Sequence, residues 1–395
     1  MKKGKGIARW AAALLCLAMV FSLFVGCHAG NGREEGAGAD RTEAGQEQAE
    51  NRGTKGAALS FVEKDTEERY TSEKILVDGI IRYFAMSRDR TGYRLYAADG
   101  AGGWRIYLDG DFREVSREKL DETETVNLYD AGAGEPPYEL QLDFDVLGDP
   151  DRLIARDGER LFTLPVSAGD EYSVRVFPEE EGLYVLNYDY LVLDGKELRL
   201  PEAGGFGRVT VRGMLRLDGR KWVLLENEET HTRHIAEVTG QTVGEAAKTD
   251  LTGSSFTPDG RGGTLFVRED ELWQTRGNEI VRLFNLRKMG LLALDCCDLW
   301  MEEDRIVIME EDGIFVIRET EEEAKEEAVI GCVYGVDAFL GNVISAYNLS
   351  GEGIVTTHVY NSEEKLNLAL LSGEVDLAVS SSPELQRDRA RSGAL

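Results

Sequence analysis

Residues that commonly build active sites and covalent scaffolds are scarce here: 395 residues include only 8 prolines, 5 cysteines and 4 histidines. The cysteines, Cys16, Cys27, Cys296, Cys297 and Cys332, never show Cys-x-x-Cys spacing. With Cys16 inside the N-terminal apolar run and Cys27 at its end, three cysteines remain, too few for a disulfide framework in a chain of this size. The adjacent pair in "LLALDCCDLW" predicts buried thiols on a strand, with a redox or metal role as the other reading. Histidines are too few for a metal centre. His231 and His234, in "HTRH", are expected on the surface of a strand-rich region, with no identifiable third ligand. Positive charge is also lacking: the net charge of −28 excludes a basic nucleic-acid footprint, so no nucleic-acid partner is expected.

Catalytic signatures are missing as well. No Gly-x-Ser-x-Gly elbow, His-Glu-x-x-His helix or P-loop occurs. The glycine-rich "GGFG" (204–207) and "GRGG" (260–263) precede no helical pattern and predict turns. Acidic pairs are abundant, but in so acidic a chain most are solvated faces. Trp104, Trp222, Trp273 and Trp300 suit core packing, although tryptophans also line sugar clefts. These absences predict a protein that is not an enzyme and holds no cofactor and no metal.

Long apolar runs are missing except at the start. Lys2, Lys3, Lys5 and Arg9 precede an apolar segment from Trp10 to Val25, which ends in "LFVGCHAG". A positive n-region, a short apolar core and a small residue before the cut describe a secretory signal peptide over 1–26. Gly26-Cys27 after Phe24-Val25 resembles the bacterial lipobox, with Phe24 replacing the usual leucine. That resemblance implies cleavage before Cys27 and lipid on its thiol. The other reading is a plain signal anchor in which Cys27 is incidental. From Ala29 to Ala58 there is no Val, Ile, Leu, Met or aromatic residue. Such a stretch buries too little apolar surface to offset its chain entropy, so 27–58 is expected to be a disordered tether. Its reach is roughly 30 Å.

From residue 59 to 320 short apolar-polar alternations are broken by turn residues. Asp-Gly occurs eight times, beginning at Asp78, Asp99, Asp109, Asp157, Asp194, Asp218, Asp259 and Asp312. Between alternating runs this pair marks hairpins, because a type I′ turn needs positive φ at both central residues. "RLIARDGERLFTL", "YLVLDGKELRL" and "MLRLDGRKWVLL" show it plainly, the first with Leu153 and Leu161 on either side of its turn. A propeller uses ~40 residues per four-stranded blade, so this length predicts a mainly β protein with a propeller of six or seven blades. Two successive β-sandwiches are the alternative.

The texture changes near residue 320. "RETEEEAKEEA" (318–328) is a charged run, and 321–327 is expected to be an acidic linker. Over 328–395 the pattern becomes βαβαβ. "AVIGCVYG" suits a buried strand, and "DAFLGNVISAYN" has helical spacing behind Asp337 as candidate cap. "GIVTTHVYN" and "VDLAVSS" are strands. Between them "SEEKLNLALLSG" predicts a helix capped by Ser362 and ended by Gly373.

With Tyr347-Asn348 closing the first helix and Asp376-Leu377 opening the last strand, residues 333–381 resemble the first lobe of bacterial extracellular solute-binding proteins of ABC transporters. The resemblance implies a periplasmic-binding-protein-like α/β segment. It further implies lipid anchoring at the extracellular membrane face, as in Gram-positive bacteria, a transporter permease as partner, and a small solute such as a carbohydrate. Ligands of open α/β sheets sit beyond the carboxyl ends of strands. That places the expected ligand-binding residues at Tyr334, Gly335, Ser380 and Ser381. Only 67 residues follow Ala328, which predicts a partial lobe, as in a truncated or frameshifted product. A second class of function is a propeller hydrolase or lyase with catalytic carboxylates at the channel mouth.

Overall fold

The computed structural model describes residues 61–66, 69–78, 80–86, 92–99, 102–119, 126–128, 138–144, 150–157, 160–165, 175–179, 182–187, 190–194, 196–201, 208–291, 298–302, 304–310, 312–322, 325–333, 337–350 and 353–379. The chain divides into two units, Met1–Thr54 and Lys55–Leu395, and all described residues belong to the second. Cys27, the tether, the pair Cys296-Cys297, and Tyr334, Gly335, Ser380 and Ser381 lie outside the described residues.

The fold is mainly β, in a β-propeller arrangement. Five blades are antiparallel meanders of consecutive strands. The first runs Ile80–Met86, Gly92–Asp99, Gly102–Asp109, Glu114–Lys119. The second runs Val126–Leu128, Tyr138–Phe144, Pro150–Asp157, Arg160–Pro165. The third comprises Arg175–Glu179, Gly182–Asn187, Tyr190–Leu193 and the short Lys196–Glu197. In the fourth, Val209–Leu217, Arg220–Asn227, Arg233–Thr239 and Thr242–Val243 are joined by Ala247–Thr249. The fifth has Ser254–Pro258, Thr264–Arg268, Glu271–Arg276 and Glu279–Asn285, with Val62–Asp65 added in parallel at its edge.

The expectation of six or seven such meanders is met by five. A further antiparallel sheet is composite: Asp298–Glu302, Arg305–Glu310 and Gly313–Glu319 take their fourth strand from Tyr70–Leu76, near the other end of the chain. Side-chain alternation shows how this sheet is placed. Leu299, Ile306, Ile308, Phe315 and Ile317 pack into one core with Leu265, Val267, Leu272 and Val281 of the fifth blade. The intervening Trp300, Val307, Met309, Ile314 and Val316 pack into another with Tyr93, Leu95, Ile106 and Phe112 of the first. The three consecutive strands of the composite sheet are therefore apolar on both faces, as strands wedged between two neighbours must be. Gly213 serves a similar close approach, at a register shift of the fourth blade. A Cβ there would lie 2.1 Å from the Phe256 ring of the fifth.

The Asp-Gly turns take several forms. Asp218 and Gly219 have φ of 55° and 69°, as a type I′ hairpin requires, and Leu217 pairs with Arg220. At Asp157 the turn is displaced by one residue. Asp157 pairs with Arg160, so Leu153 and Leu161 stand on the two strands of this hairpin as expected, with Leu153 opposite Leu164. Asp259 caps a longer loop: its Oδ1 accepts the N–H groups of Arg261 and Gly263 at 2.8 and 2.7 Å.

Beyond the propeller, Glu327–Val333, α1 (Asp337–Ser350), Ile354–Tyr360, α2 (Glu363–Ser372) and Leu377–Val379 follow in βαβαβ order. Glu327–Val333 is central in a parallel three-stranded sheet, with Ile354–Tyr360 on one side and Leu377–Val379 on the other. α2 ends as its sequence dictates. The Ser362 side chain accepts the Lys365 N–H, and Gly373 adopts the left-handed conformation at φ 75°.

Candidate functional site

Where the α/β unit meets the propeller, α1 supplies the buried polar contacts. Its polar residues Ser345 and Asn348 are buried, which is costly unless they are hydrogen-bonded. Asn348 Nδ2 donates to the Arg287 carbonyl of the propeller and to the Val355 carbonyl, each at 3.0 Å. Its Oδ1 accepts the Val355 N–H at 2.8 Å. One amide thus ties helix, sheet and propeller together. Ser345 Oγ donates to the Gly290 carbonyl, and Gly290, at φ 90°, lies under Leu349. Lys288 Nζ meets Glu327 Oε2 at 2.6 Å. Two clefts of about 470 and 480 Å³ flank this joint, one lined by Tyr70, Ser72 and Lys288, the other by Arg287, Asn342 and Thr357.

Replacing Asn348 by leucine strands both backbone groups of buried Val355 and removes one of the two donors to the Arg287 carbonyl, which keeps the Gly290 N–H. The expected loss is about 3 kcal/mol in urea unfolding. Amide exchange in 354–360 should accelerate while 305–319 stays protected. Unchanged exchange in 354–360 would refute the clamp.

Two charged clusters lie elsewhere in the propeller. Tyr93 Oη of the first blade donates to Glu302 Oε1 at 2.5 Å, and Arg305 Nη2 reaches Tyr93 Oη at 3.0 Å and the Gly110 carbonyl at 2.9 Å. Burial, then the bond to Glu302, push the Tyr93 phenol far above its ordinary range, so it stays protonated. On the fourth blade, burial opposes ionisation of Glu226. Arg212 and Arg233, at 3.1 and 3.2 Å, together with His231 at 3.5 Å, outweigh it and lower the carboxyl's pKa. Neither arrangement is poised for proton transfer near neutral pH. Each acid has its charge partners in place, and the first cluster joins two sheets.

His231 is exposed at a strand-connecting turn with φ 52°, whereas His234 is buried, contrary to the expected surface position of both. The cause is strand alternation: His234 pairs with Leu225 and shares its inward-facing side. Trp222, Trp273 and Trp300 are buried and Trp104 packs against the core, so they are structural. "GRGG" forms the loop after the fifth blade's first strand, as expected of a turn. Among the described residues no group of three or more His, Cys, Asp or Glu is placed to hold a metal ion. Also among these residues, no helix is long and apolar enough to cross a membrane.

By sequence, no known family matches the chain, and no curated protein does. Among solved structures it is similar to the uncharacterised protein lmo1340 of Listeria monocytogenes EGD-e, at 10% identity and a TM-score of 0.28, covering 64% of this chain and 94% of that one. It is also similar to prolyl oligopeptidase B of Galerina marginata, at 8% identity and a TM-score of 0.34, covering 65% and 41%. The glutaminyl cyclase of Myxococcus xanthus gives 8% and 0.33, covering 67% and 100%. Likeness this low carries no argument about activity.

Proposed function

We propose that this protein is a lipid-anchored extracellular module of a solute-uptake system. In this reading Cys27 carries the lipid, and the composite sheet is a sixth blade closing an interaction propeller. Residues 328–395 are a solute-binding-type lobe, whose partners are a transporter permease and a small solute such as a carbohydrate. The observation that carries the reading is the strand order of the parallel sheet. Its first strand is central, and Ile330 and Cys332 pair with Leu377 and Val379 of its third. The chain therefore leaves two neighbouring strands, at Val333 and Val379, where strand order reverses, and open α/β sheets bind ligands at such a point. Tyr334-Gly335 and Ser380-Ser381 are the residues that follow those ends in sequence.

The experiment is membrane fractionation of cells producing wild type or Cys27→Ser. Wild type is expected in the membrane fraction and Cys27→Ser in the medium. Equal anchoring of the two would reject lipidation at Cys27 and the placement built on it.

A further inference from the structure

Several outer strands of the propeller sheets are blunted against pairing with other chains. Glu114–Lys119, Lys196–Glu197, Val62–Asp65 and Tyr70–Leu76 read EVSREK, KE, VEKD and YTSEKIL, each with Lys and Glu. Charges of this kind keep sheet edges from unwanted partners. The parallel sheet of the α/β unit has one long edge without that protection. Ile354–Tyr360 reads IVTTHVY, with no Lys, Arg, Asp, Glu or Pro, and it pairs on one side only. The opposite edge, Leu377–Val379, is protected by being three residues long.

Backbone bonding shows which groups of the long edge face out. The Ile354 N–H donates to the Glu326 carbonyl, toward the central strand. Successive residues of a parallel strand address opposite sides. Thr356, His358 and Tyr360 therefore continue that ladder, while Val355, Thr357 and Val359 turn their N–H and C=O groups outward. Asn348 fits this alternation: its amide accepts the Val355 N–H at 2.8 Å and donates to the Val355 carbonyl at 3.0 Å. Those are the two bonds that a residue of a neighbouring strand would make. One rung of a further strand is thus filled by a side chain. The next two rungs are open: the outward backbone groups of Thr357 and Val359 have no partner among the described residues.

These rungs border the cleft of about 480 Å³ between the α/β unit and the propeller. Ile344 and Leu291, 8% and 1% exposed, give it an apolar lining, and Asp270 and Arg287 neutralise each other at 2.7 Å. Ligand pockets run to about 300–1,000 Å³, a range that suits a short peptide. Charge selects among peptides. Residues 327–379 contain seven Asp and Glu against a single Lys, so basic flanks are attracted and acidic ones repelled.

We propose that this edge takes up an extended, positively charged segment of a partner protein as a fourth strand beside Ile354–Tyr360. The segment's main chain pairs with Thr357 and Val359, an apolar side chain enters the cleft beside Ile344, and flanking Lys or Arg residues meet the acidic lobe. The site runs along the side of the sheet, whereas the solute reading places its ligand beyond the ends of Glu327–Val333 and Leu377–Val379. The two stand or fall separately.

The probe is the peptide acetyl-Arg-Val-Thr-Val-Arg-amide, titrated calorimetrically into the full chain in detergent. It is expected to bind, and more weakly as salt is raised. Replacing both its arginines by glutamates should weaken binding about tenfold or more. Backbone methylation separates strand addition from a charge contact, because alternate amides of an added strand point toward and away from the edge. Methylating both valine amides, or instead the threonine amide, should cost about tenfold in one case and little in the other. Thr357→Pro removes an outward N–H and leaves the ladder to the central strand intact, as proline on an edge strand does. It should abolish binding at an unchanged melting temperature, while His358→Pro, aimed at the ladder, lowers that temperature. No binding of the probe, equal effects of the two methylations, undiminished affinity of the glutamate peptide, or wild-type affinity in Thr357→Pro would overturn the proposal. A dimer of the chain that Thr357→Pro dissociates would give the edge to a second copy and overturn it too. The methylated probes act on the wild-type chain, so their result stands even if Thr357→Pro misfolds.

Discussion

Removing residues 1–76 is expected to abolish the cooperative thermal transition and the near-ultraviolet dichroism of the chain, whereas removing only 1–60 leaves both in place. Tyr70–Leu76 makes a seven-residue antiparallel register with Gly313–Glu319. Lys74 lies 2.8 Å from Asp312 and 3.5 Å from Glu310, and its ammonium sits 4.9 Å from the centre of the Phe315 ring. Ser72 Oγ donates to the Met289 carbonyl at 2.8 Å. Without the strand, Gly313–Glu319 becomes an unpaired edge, and Glu310, 8% exposed, loses the Lys74 ammonium. Whole domains are stable by only about 5–15 kcal/mol, so a composite sheet without its fourth strand should not survive as a native state. The same melting temperature for both truncations would show that the strand is dispensable.

Phe315→Ala should cost about 3–5 kcal/mol in urea unfolding, the range for emptying a fully buried aromatic site. Phe315 is 0% exposed, in the core shared by the fifth blade and the composite sheet. Its loss leaves a void between two sheets and removes the ring beneath Lys74 in one step. Phe315→Leu retains most of the volume and should cost less than about 1.5 kcal/mol. Equal costs for the two substitutions would mean that the sheets close over the site, and the packing account would fail.

Local chemistry was legible in the sequence, and long-range pairing was not. Ser362 and Gly373 cap α2 as their residue types demand, because capping is decided within one helical turn. Asp218-Gly219 forms its turn for the same reason. The Asp157 hairpin is displaced by one residue because ladder register, and not the turn pair alone, sets which residue begins the turn. Nothing in "YTSEKIL" (70–76) names its partner in "GIFVIRE" (313–319), since an alternating strand fits any edge of suitable face. The composite sheet was therefore invisible. The role of Asn348 was hidden too: an asparagine near a helix end reads as a terminator, and only the fold shows which backbone groups it serves.

The composite sheet also sets a clock on folding. Whether the chain emerges from a ribosome or is threaded across a membrane N-terminus first, Tyr70–Leu76 appears long before its partner. Lys74 and Asp312 are 238 residues apart. At ordinary synthesis rates that separation corresponds to a wait of roughly 12–50 s. Throughout it the strand is an exposed edge, and the five meanders can form while the composite sheet lacks a strand. Such late, distant pairing is slow and open to capture by other strands. The polar and charged residues Thr71, Ser72, Glu73 and Lys74 in its middle suit that interval, because they keep a waiting strand soluble.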